Sequence, residues 1–516
     1  MAAFLAIDLG TQSVRALLFD LHGEVQGRAQ IRFEPIYRSP QPGWAEQDAD
    51  YYWDCVVQAC QELWAQGHHA GQVEGMALTT QRGTTVAVDA AGRPLGPAIS
   101  WLDQRELDQM APLPGWMQTA LHVLGEAETV DFFRRNAECN WLAREKPEIW
   151  GKTHKFLLIS GYLHHRLCGR FVDSLAAQVG YLPFDFKRLQ WARPWDWKWL
   201  ALAVQRQQLP ELAVPGTVLG HLQHQAAEVL GLKAGLPIIA AGADKACEVL
   251  GSGCIQPHMG ALSFGTTATI NTTQTRYIEA TSMLPPYPAA SSQAYLTEVQ
   301  TFRGFWMVNW FKEEFGHKEQ FLAEQEGTIV ETLFDDLLRT TPPGAMGLML
   351  QPYWTPGIRE PGREAKGAML GFGDVHTRAH VYRAIIEGLA YALREGRERI
   401  ERRSRCSMRV LRVSGGGSQS DEVMRITANI LGLPAERPHT FETSGLGAAM
   451  NVAVGLGYYR SHADAVAAMC RIRDRFEPDP ECVAFYDRLY HRVWSRIYRQ
   501  MKPIYQEIRS ITGYPR

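Results

Sequence analysis

The sequence predicts an α/β protein built from two similar halves. Three observations carry that prediction. At 516 residues the chain exceeds what one hydrophobic core organises and suits two domains of roughly 250 residues. Short apolar runs bounded by glycine alternate with stretches of helical periodicity along its length. A hairpin pattern at residues 6–20, AIDLGTQSVRALLFD, returns at 261–273 as ALSFGTTATINTT.

Each element follows from local chemistry. Phe4 to Ile7 is a short apolar run, as in a buried strand, and Gly10 permits a tight turn into a second run, Val14 to Phe19. The turn carries the hydroxyls of Thr11 and Ser13. A buried carboxylate is costly without a partner, which places Asp8 at the open end of its strand. Read alone, the stretch slightly favours a turn-forming Asp-x-Gly. Residues 72–105 read as strand, loop, strand, glycine turn, strand, and helices are expected around 119–146. The Trp-rich stretch 191–199 reads as a loop or short helix, and 236–242 as a strand ending at Ala243-Asp244-Lys245. The domain boundary is placed near 250–256, dividing the chain into 1–254 and 255–516. In the second half, 379–403 is a helix with Ile385, Leu389 and Leu393 on one face. Residues 409–434 read as strand, glycine loop and helix, capped by Ser418 or Ser420 and ended by Gly432. A small-residue helix over 444–457 suits close packing, and 481–509 reads as an amphipathic closing helix.

Composition excludes several classes. A formal net charge of −2 without blocks of like charge gives no footprint for nucleic acid. No run of 18 apolar residues and no basic-then-apolar leader appear, so neither a membrane nor a secretory route is expected. Nine cysteines, an odd number without C-x-x-C, suit a cytoplasmic location and buried, unreactive thiols. His68-His69 and His164-His165 are expected at the surface rather than around a metal.

Familiar phosphate motifs are absent. Gly151-Lys152-Thr153 lacks the glycine that a Walker loop needs at position 146, which is Lys146. No G-x-G-x-x-G follows a strand, and protein-kinase signatures are missing. Three other loops, 8–15, 265–267 and 415–420, offer main-chain N–H groups and hydroxyls to an anion. Gly415-Gly416-Gly417 also precedes a helix N-terminus; a strand-to-helix turn without ligand has equal weight there. Asp244 follows an apolar strand and can accept a proton from an attacking hydroxyl, although a lone Asp so placed more often caps the next helix.

Together these motifs resemble the FGGY family of carbohydrate kinases, relatives of glycerol kinase and xylulose kinase, over nearly the whole chain. Asp8-Leu9-Gly10-Thr11 resembles the family's first phosphate loop, GADKACEVLGSG (242–253) its catalytic Asp segment, and SGGGSQS (414–420) its adenosine loop. The stretch GAMLGFGDVHTRAHVYRAIIE (367–387) fits its C-terminal signature at fixed gaps. The resemblance implies two ribonuclease H-like domains of the actin and hexokinase kind with a cleft between them. It implies ATP-dependent phosphorylation of a primary hydroxyl of a small sugar or polyol, with a ketose such as a pentulose as the expected acceptor. A homodimer is one assembly compatible with it.

The resemblance also assigns roles. Asp244 matches the general base, and Asp8 a carboxylate near Mg²⁺ that acts with Asp244 through water. Thr11, Gln12, Ser13 and Arg15 match positions near the ATP phosphates. Gly265, Thr266, Asn309, Gly416, Gly417 and Ser420 match further nucleotide positions. Gln81, Arg82 and Trp101, with Asp244 and Lys245, match the substrate side: an Arg gives fixed donors for vicinal hydroxyls and a Trp face covers a polyol's C–H side. Glu387 is assigned to packing. Two departures stand out. Gly83 replaces the Glu of glycerol kinase, which removes an acceptor and opens space, so glycerol is not expected to be the best substrate. Lys245 replaces a Gln; it either donates to a substrate oxygen, favours ionised Asp244, or points into solvent. Two other readings remain open: an actin-like ATP-switched protein without kinase activity, and a kinase of a small signalling molecule.

Overall fold

A computed structural model describes residues 2–291, 293–327, 330–355, 357 and 361–514. The chain folds into two compact units: Met1–Ile255 with Gln274–Leu296 and Glu442–Arg471, and Gln256–Thr273 with Thr297–Phe441 and Ile472–Arg516. The expected division at 254/255 marks only the first crossing, because two later segments return to the first unit.

The first unit is organised by a six-stranded sheet. Its elements are β1 (Ala3–Leu9), β2 (Ser13–Phe19), β3 (Val25–Arg32), α1 (Ala49–Ala65), β4 (Val73–Thr80), β5 (Val218–His221), β6 (Pro237–Ile239) and α2 (Asp244–Gly251). The strand order is β5-β6-β4-β1-β2-β3. β1 runs antiparallel to β2 and parallel to β4, and β6 is parallel to β4. Every residue of β1 is buried, which explains its unbroken apolar sequence up to Asp8. Asp48 caps α1 by accepting from Asp50 N at 2.9 Å, and α1 buries Tyr52, Trp53, Val56, Ala59, Cys60 and Leu63.

The helix Thr443–Gly455 returns to this unit because small residues let it pack tightly on α2. A Cβ on Gly447 would lie 2.0 Å from Cys247 O, and one on Gly251 1.9 Å from Thr443 O, so no larger residue fits at either contact. A smaller sheet in the same unit, built from Glu46–Gln47, Ala98–Ile99, Thr85–Val88 and Lys155–Leu158, carries the segment between Gln81 and Trp101.

The second unit repeats the pattern. Its elements are β7 (Met259–Phe264), β8 (Ala268–Gln274), β9 (Tyr295–Thr301), α3 (Trp306–Phe315), α4 (Arg378–Ser404), β10 (Val410–Ser414), α5 (Asp421–Leu431), β11 (Ala435–Pro438), β12 (Ile472–Phe476) and α6 (Ser495–Thr512). β9-β8-β7-β10-β11-β12 are neighbours in that order. β7 and β8 form a hairpin, β10 and β11 follow in parallel, and β12 closes antiparallel, the directions found around β1. Ser420, not Ser418, caps α5 by accepting from Val423 N at 3.1 Å, and Gly432 ends it at φ +63°. The closing helix is interrupted: Pro480–Leu489 passes through a π-turn, Tyr490–Trp494, into α6.

Two surface expectations change. His164 is buried, its Nδ1 3.0 Å from Asp173 Oδ1, because a carboxylate satisfies it in the core. His165 stacks on Phe171 at 4.2 Å. Of the nine cysteines expected to be buried, Cys168, Cys406, Cys470 and Cys482 are only half-buried. Glu387 is a packing residue as expected: it accepts from Gly344 N, Arg383 Nε and Tyr486 Oη at 3.0, 2.7 and 2.7 Å. No helix among the described residues is long and apolar enough to cross a membrane.

Candidate active site

In the first unit the expected site residues gather where β1, β4 and β6 end, at the carboxyl ends of neighbouring parallel strands. Gly10 N donates to Ser13 O at 2.9 Å and closes the β1–β2 turn. Asp8 on β1 lies opposite Arg15 on β2, and the Arg15 Nη1 to Asp8 Oδ2 distance is 3.3 Å. The same Nη1 lies 3.4 Å from Glu442 Oε2, and Arg28 Nε lies 3.1 Å from Glu442 Oε1. Ser13 Oγ accepts from Gln30 Nε2 at 2.9 Å. Within the turn, Gln12 is exposed and Thr11 half-buried.

Burial pushes the Asp8 carboxyl up to about 7; Arg15 pulls it down, and the negative charges of Glu442, Asp244 and Glu248 raise it further. Asp8 is thus a buried acid among acids with one guanidinium beside it.

Asp244 opens α2 without being its cap. The N-cap is Ala243, and the Asp244 carboxylate accepts from the next backbone N–H, Lys245 N, at 2.7 Å. Burial raises its pKa, while the charges of Lys245 and Arg82 lower it. Lys245 does not point into solvent: its side chain is 18% exposed and its Nζ lies 2.7 Å from Glu248 Oε2. Burial works against its charge, but Glu248 and Asp244 outweigh that and hold it protonated.

The other residues expected on the substrate side lie close by in the same unit. Arg82 sits 5.1 Å over the Tyr287 ring, and both Asp244 and Lys245 feel its charge. Gln81 N donates to Leu9 O at 2.7 Å, tying the end of β4 to the end of β1. The Gln81 side chain is buried, and its Oε1 has no partner. Trp101 Nε1 donates to Thr11 Oγ1 at 3.0 Å, leaving its ring 36% exposed beside the turn. Gly83 has φ +69°, and a Cβ there would lie 3.5 Å from Trp101 Cβ.

The second unit assembles its own loop cluster. Phe305 N donates to Gly265 O at 3.1 Å, and the Phe305 ring stacks on Phe264 with centroids 4.4 Å apart. A Cβ on Gly417 would fall 2.3 Å from Phe305 Cε1, so the glycine loop lies on the same ring. Gly265, Gly417 and the start of α3 therefore form one surface. Thr266, Gly416 and Asn309 are exposed. Ser420 differs: its hydroxyl is taken by Val423 N and by Asp335 Oδ1.

Sequence reasoning missed four groups. Glu442 and Arg28 meet Arg15 only through the fold, and nothing local signals them. Tyr287 reaches Arg82 from a segment that returns to the first unit. Glu248 was legible, since Lys and Glu three apart on a helix share a face.

Among the described residues no group of three or more His, Cys, Asp or Glu is arranged to hold a metal. Asp8 and Asp244 suit an ion that keeps several waters and uses one or two carboxylates plus phosphate oxygens, as Mg²⁺ does. The negative charge crowded around Asp8 fits such a cation.

The model for the N-terminal domain of the FGGY family of carbohydrate kinases matches residues 3–251, and that for the C-terminal domain residues 260–456. The chain is 30% identical to an uncharacterized sugar kinase of Escherichia coli (strain K12), over 94% of this chain and 91% of that protein. It is 26% identical to xylulose kinase of Lactococcus lactis, over 98% and 99%. Its fold is that of a ligand-bound xylulose kinase from Lactobacillus acidophilus, with a TM-score of 0.79, 21% identity and coverage of 100% and 99%. It is also that of Plasmodium falciparum glycerol kinase with ADP, with a TM-score of 0.77, 18% identity and coverage of 96% and 98%.

Proposed function

The chain belongs to the FGGY family of carbohydrate kinases, and from that premise we propose that it phosphorylates a primary hydroxyl of a small ketose, a pentulose foremost, with Asp244 as general base. ATP-dependent phosphorylation of a sugar or polyol follows from the family. The ketose is our reading. It is supported by Gly83, where no side-chain carboxylate stands to accept from glycerol and a Cβ would meet Trp101 Cβ at 3.5 Å and Val179 O at 3.9 Å.

The observation that carries the mechanism is the setting of Asp244. Burial raises its affinity for a proton while the charges of Lys245 and Arg82 offset part of that rise, which suits a group that takes a proton from an attacking hydroxyl. Arg82, backed by the Tyr287 ring, and the unpartnered Gln81 Oε1 supply a donor array and an acceptor for the sugar's hydroxyls. Trp101, fixed by Thr11, offers a flat apolar wall. The N–H groups of the Gly10 and Gly265 turns and of the 415–417 loop suit phosphate oxygens. Mg²⁺ held by Asp8 and Asp244 through water would neutralise charge on the phosphates. Positioning then accounts for most of the rate in a loose phosphoryl-transfer transition state.

ADP release measured with pentuloses, hexuloses, tetritols and glycerol tests the reading. We expect the highest kcat/KM with a pentulose. A preference for glycerol overturns the ketose assignment, and no response to any acceptor favours an ATP-switched protein.

A further inference from the structure

The chain leaves the strand at Ile239 and reaches Asp244 five residues later, with a single parallel bridge from Ala243 to Thr80 on the way. Such a segment would be mobile unless its backbone groups found fixed partners. Here they are held one by one. Ala240 N donates to Thr217 O at 2.9 Å. Ala241 O accepts from Ser174 Oγ at 2.5 Å, and Gly242 O accepts from Thr79 Oγ1 at 2.9 Å. Ala243 N donates to Ala176 O at 3.0 Å. Two side-chain hydroxyls therefore hold the consecutive carbonyls of Ala241 and Gly242, one residue short of Asp244.

Both hydroxyls are themselves fixed. Thr79 is on β4 and fully buried. Ser174 is 1% exposed and follows Asp173, which is 0% exposed. The Asp173 carboxylate accepts from Ser174 N, Ser160 Oγ and Gln178 Nε2 at 2.8, 2.7 and 2.8 Å, with His164 Nδ1 at 3.0 Å. Gly242 closes the arrangement: a Cβ there would lie 3.1 Å from Ala176 Cβ and 3.2 Å from Ala246 Cβ. His164 Nε2 has no partner, and Cys247 Sγ also approaches Gly242 O at 3.6 Å, but the two hydroxyls are the short contacts on these carbonyls, and a buried network of this kind favours one geometry.

We propose that Ser174 and Thr79 are positioning residues for phosphoryl transfer: their hydroxyls fix the 241–243 backbone so that the Asp244 carboxylate meets the acceptor hydroxyl at the required place. The proposal rests on Asp244 being the base. Both hydroxyls are buried and donate to backbone carbonyls, so they act through Asp244. A displacement of about 1 Å at a reacting group can cost on the order of 100-fold in rate, so loosening either carbonyl acts on kcat.

The test compares kcat and KM for ATP and acceptor in the full chain and in Ser174→Ala, Thr79→Val, Thr79→Ser and Asp244→Asn, each checked by circular dichroism. We expect Ser174→Ala and Thr79→Val to lower kcat about 10- to 100-fold with KM for ATP within about twofold. Thr79→Ser, which keeps the hydroxyl, should recover most of the loss. Wild-type kcat in folded Ser174→Ala and Thr79→Val, with Asp244→Asn inactive, overturns the positioning role and leaves the base assignment standing. Wild-type turnover in Asp244→Asn overturns both. If Ser174→Ala does not fold, the two Thr79 variants decide.

Discussion

Lys245 Nζ and Glu248 Oε2 lie 2.7 Å apart, an ion pair across the first turn of α2, the helix that Asp244 opens. The pair keeps a protonated ammonium beside Asp244. Lys245→Gln keeps length and polarity but removes the charge. Losing a charge-assisted contact costs roughly 1.5–3 kcal/mol, so we expect kcat/KM for the acceptor to fall about 10- to 100-fold. Steady-state kinetics on the best ketose checks this, and unchanged kcat/KM would remove Lys245 from the site.

Asp8 gives a pH prediction. Its carboxyl rises from an ordinary 3.8 to about 7 in the folded chain, mainly through burial. Below 3.8 both folded and unfolded chains hold the proton. Between 3.8 and about 7 the unfolded chain releases it and the folded chain keeps it, so stability falls as pH rises through this window. The loss from this group is on the order of 4 kcal/mol. Denaturant unfolding of the metal-free protein between pH 4 and pH 8 should show Asp8→Asn with a flatter profile and greater stability above pH 7. Matching profiles for the two proteins would contradict the assigned shift.

Gly83 has a backbone prediction. At φ +69° an L side chain costs about 1–2 kcal/mol, while the space beside Trp101 accommodates a methyl group without a clash. Gly83→Ala should therefore lower Tm and raise KM for the acceptor while leaving KM for ATP unchanged. An unaltered Tm would show that the loop relaxes.

Much of this was legible in the chain. The recurring Gly-Thr turns marked both hairpins, and the apolar run ending at Asp8 marked a buried strand. The signature motifs located Asp244 and the glycine loop. The rest depends on contacts that no local pattern encodes. Glu442 joins Arg28 and Arg15 because the helix after it packs on α2 through Gly447 and Gly251. The two units interleave along the sequence, with Gln274–Leu296 and Glu442–Arg471 returning to the first, which no local pattern signals. His164 reads as a surface residue until Asp173, on the strand that follows its helix, is seen folded back beside it.

Ser420 separates capping from nucleotide contact. Its hydroxyl accepts from Val423 N at the start of α5 and also bonds Asp335. Ser420→Ala should cost about 1 kcal/mol of stability, measured by denaturant unfolding. A severalfold rise in KM for ATP in the same variant would show that the residue also serves the nucleotide, and an unchanged KM assigns it to the cap alone.

The most direct measurement is single-turnover phosphorylation of the preferred acceptor by Asp244→Asn, with ATP binding followed in parallel by calorimetry. A positioned general base contributes roughly 10²–10⁴-fold. The account predicts a rate reduced by that range with ATP affinity retained. Phosphoryl transfer at the wild-type rate would contradict it.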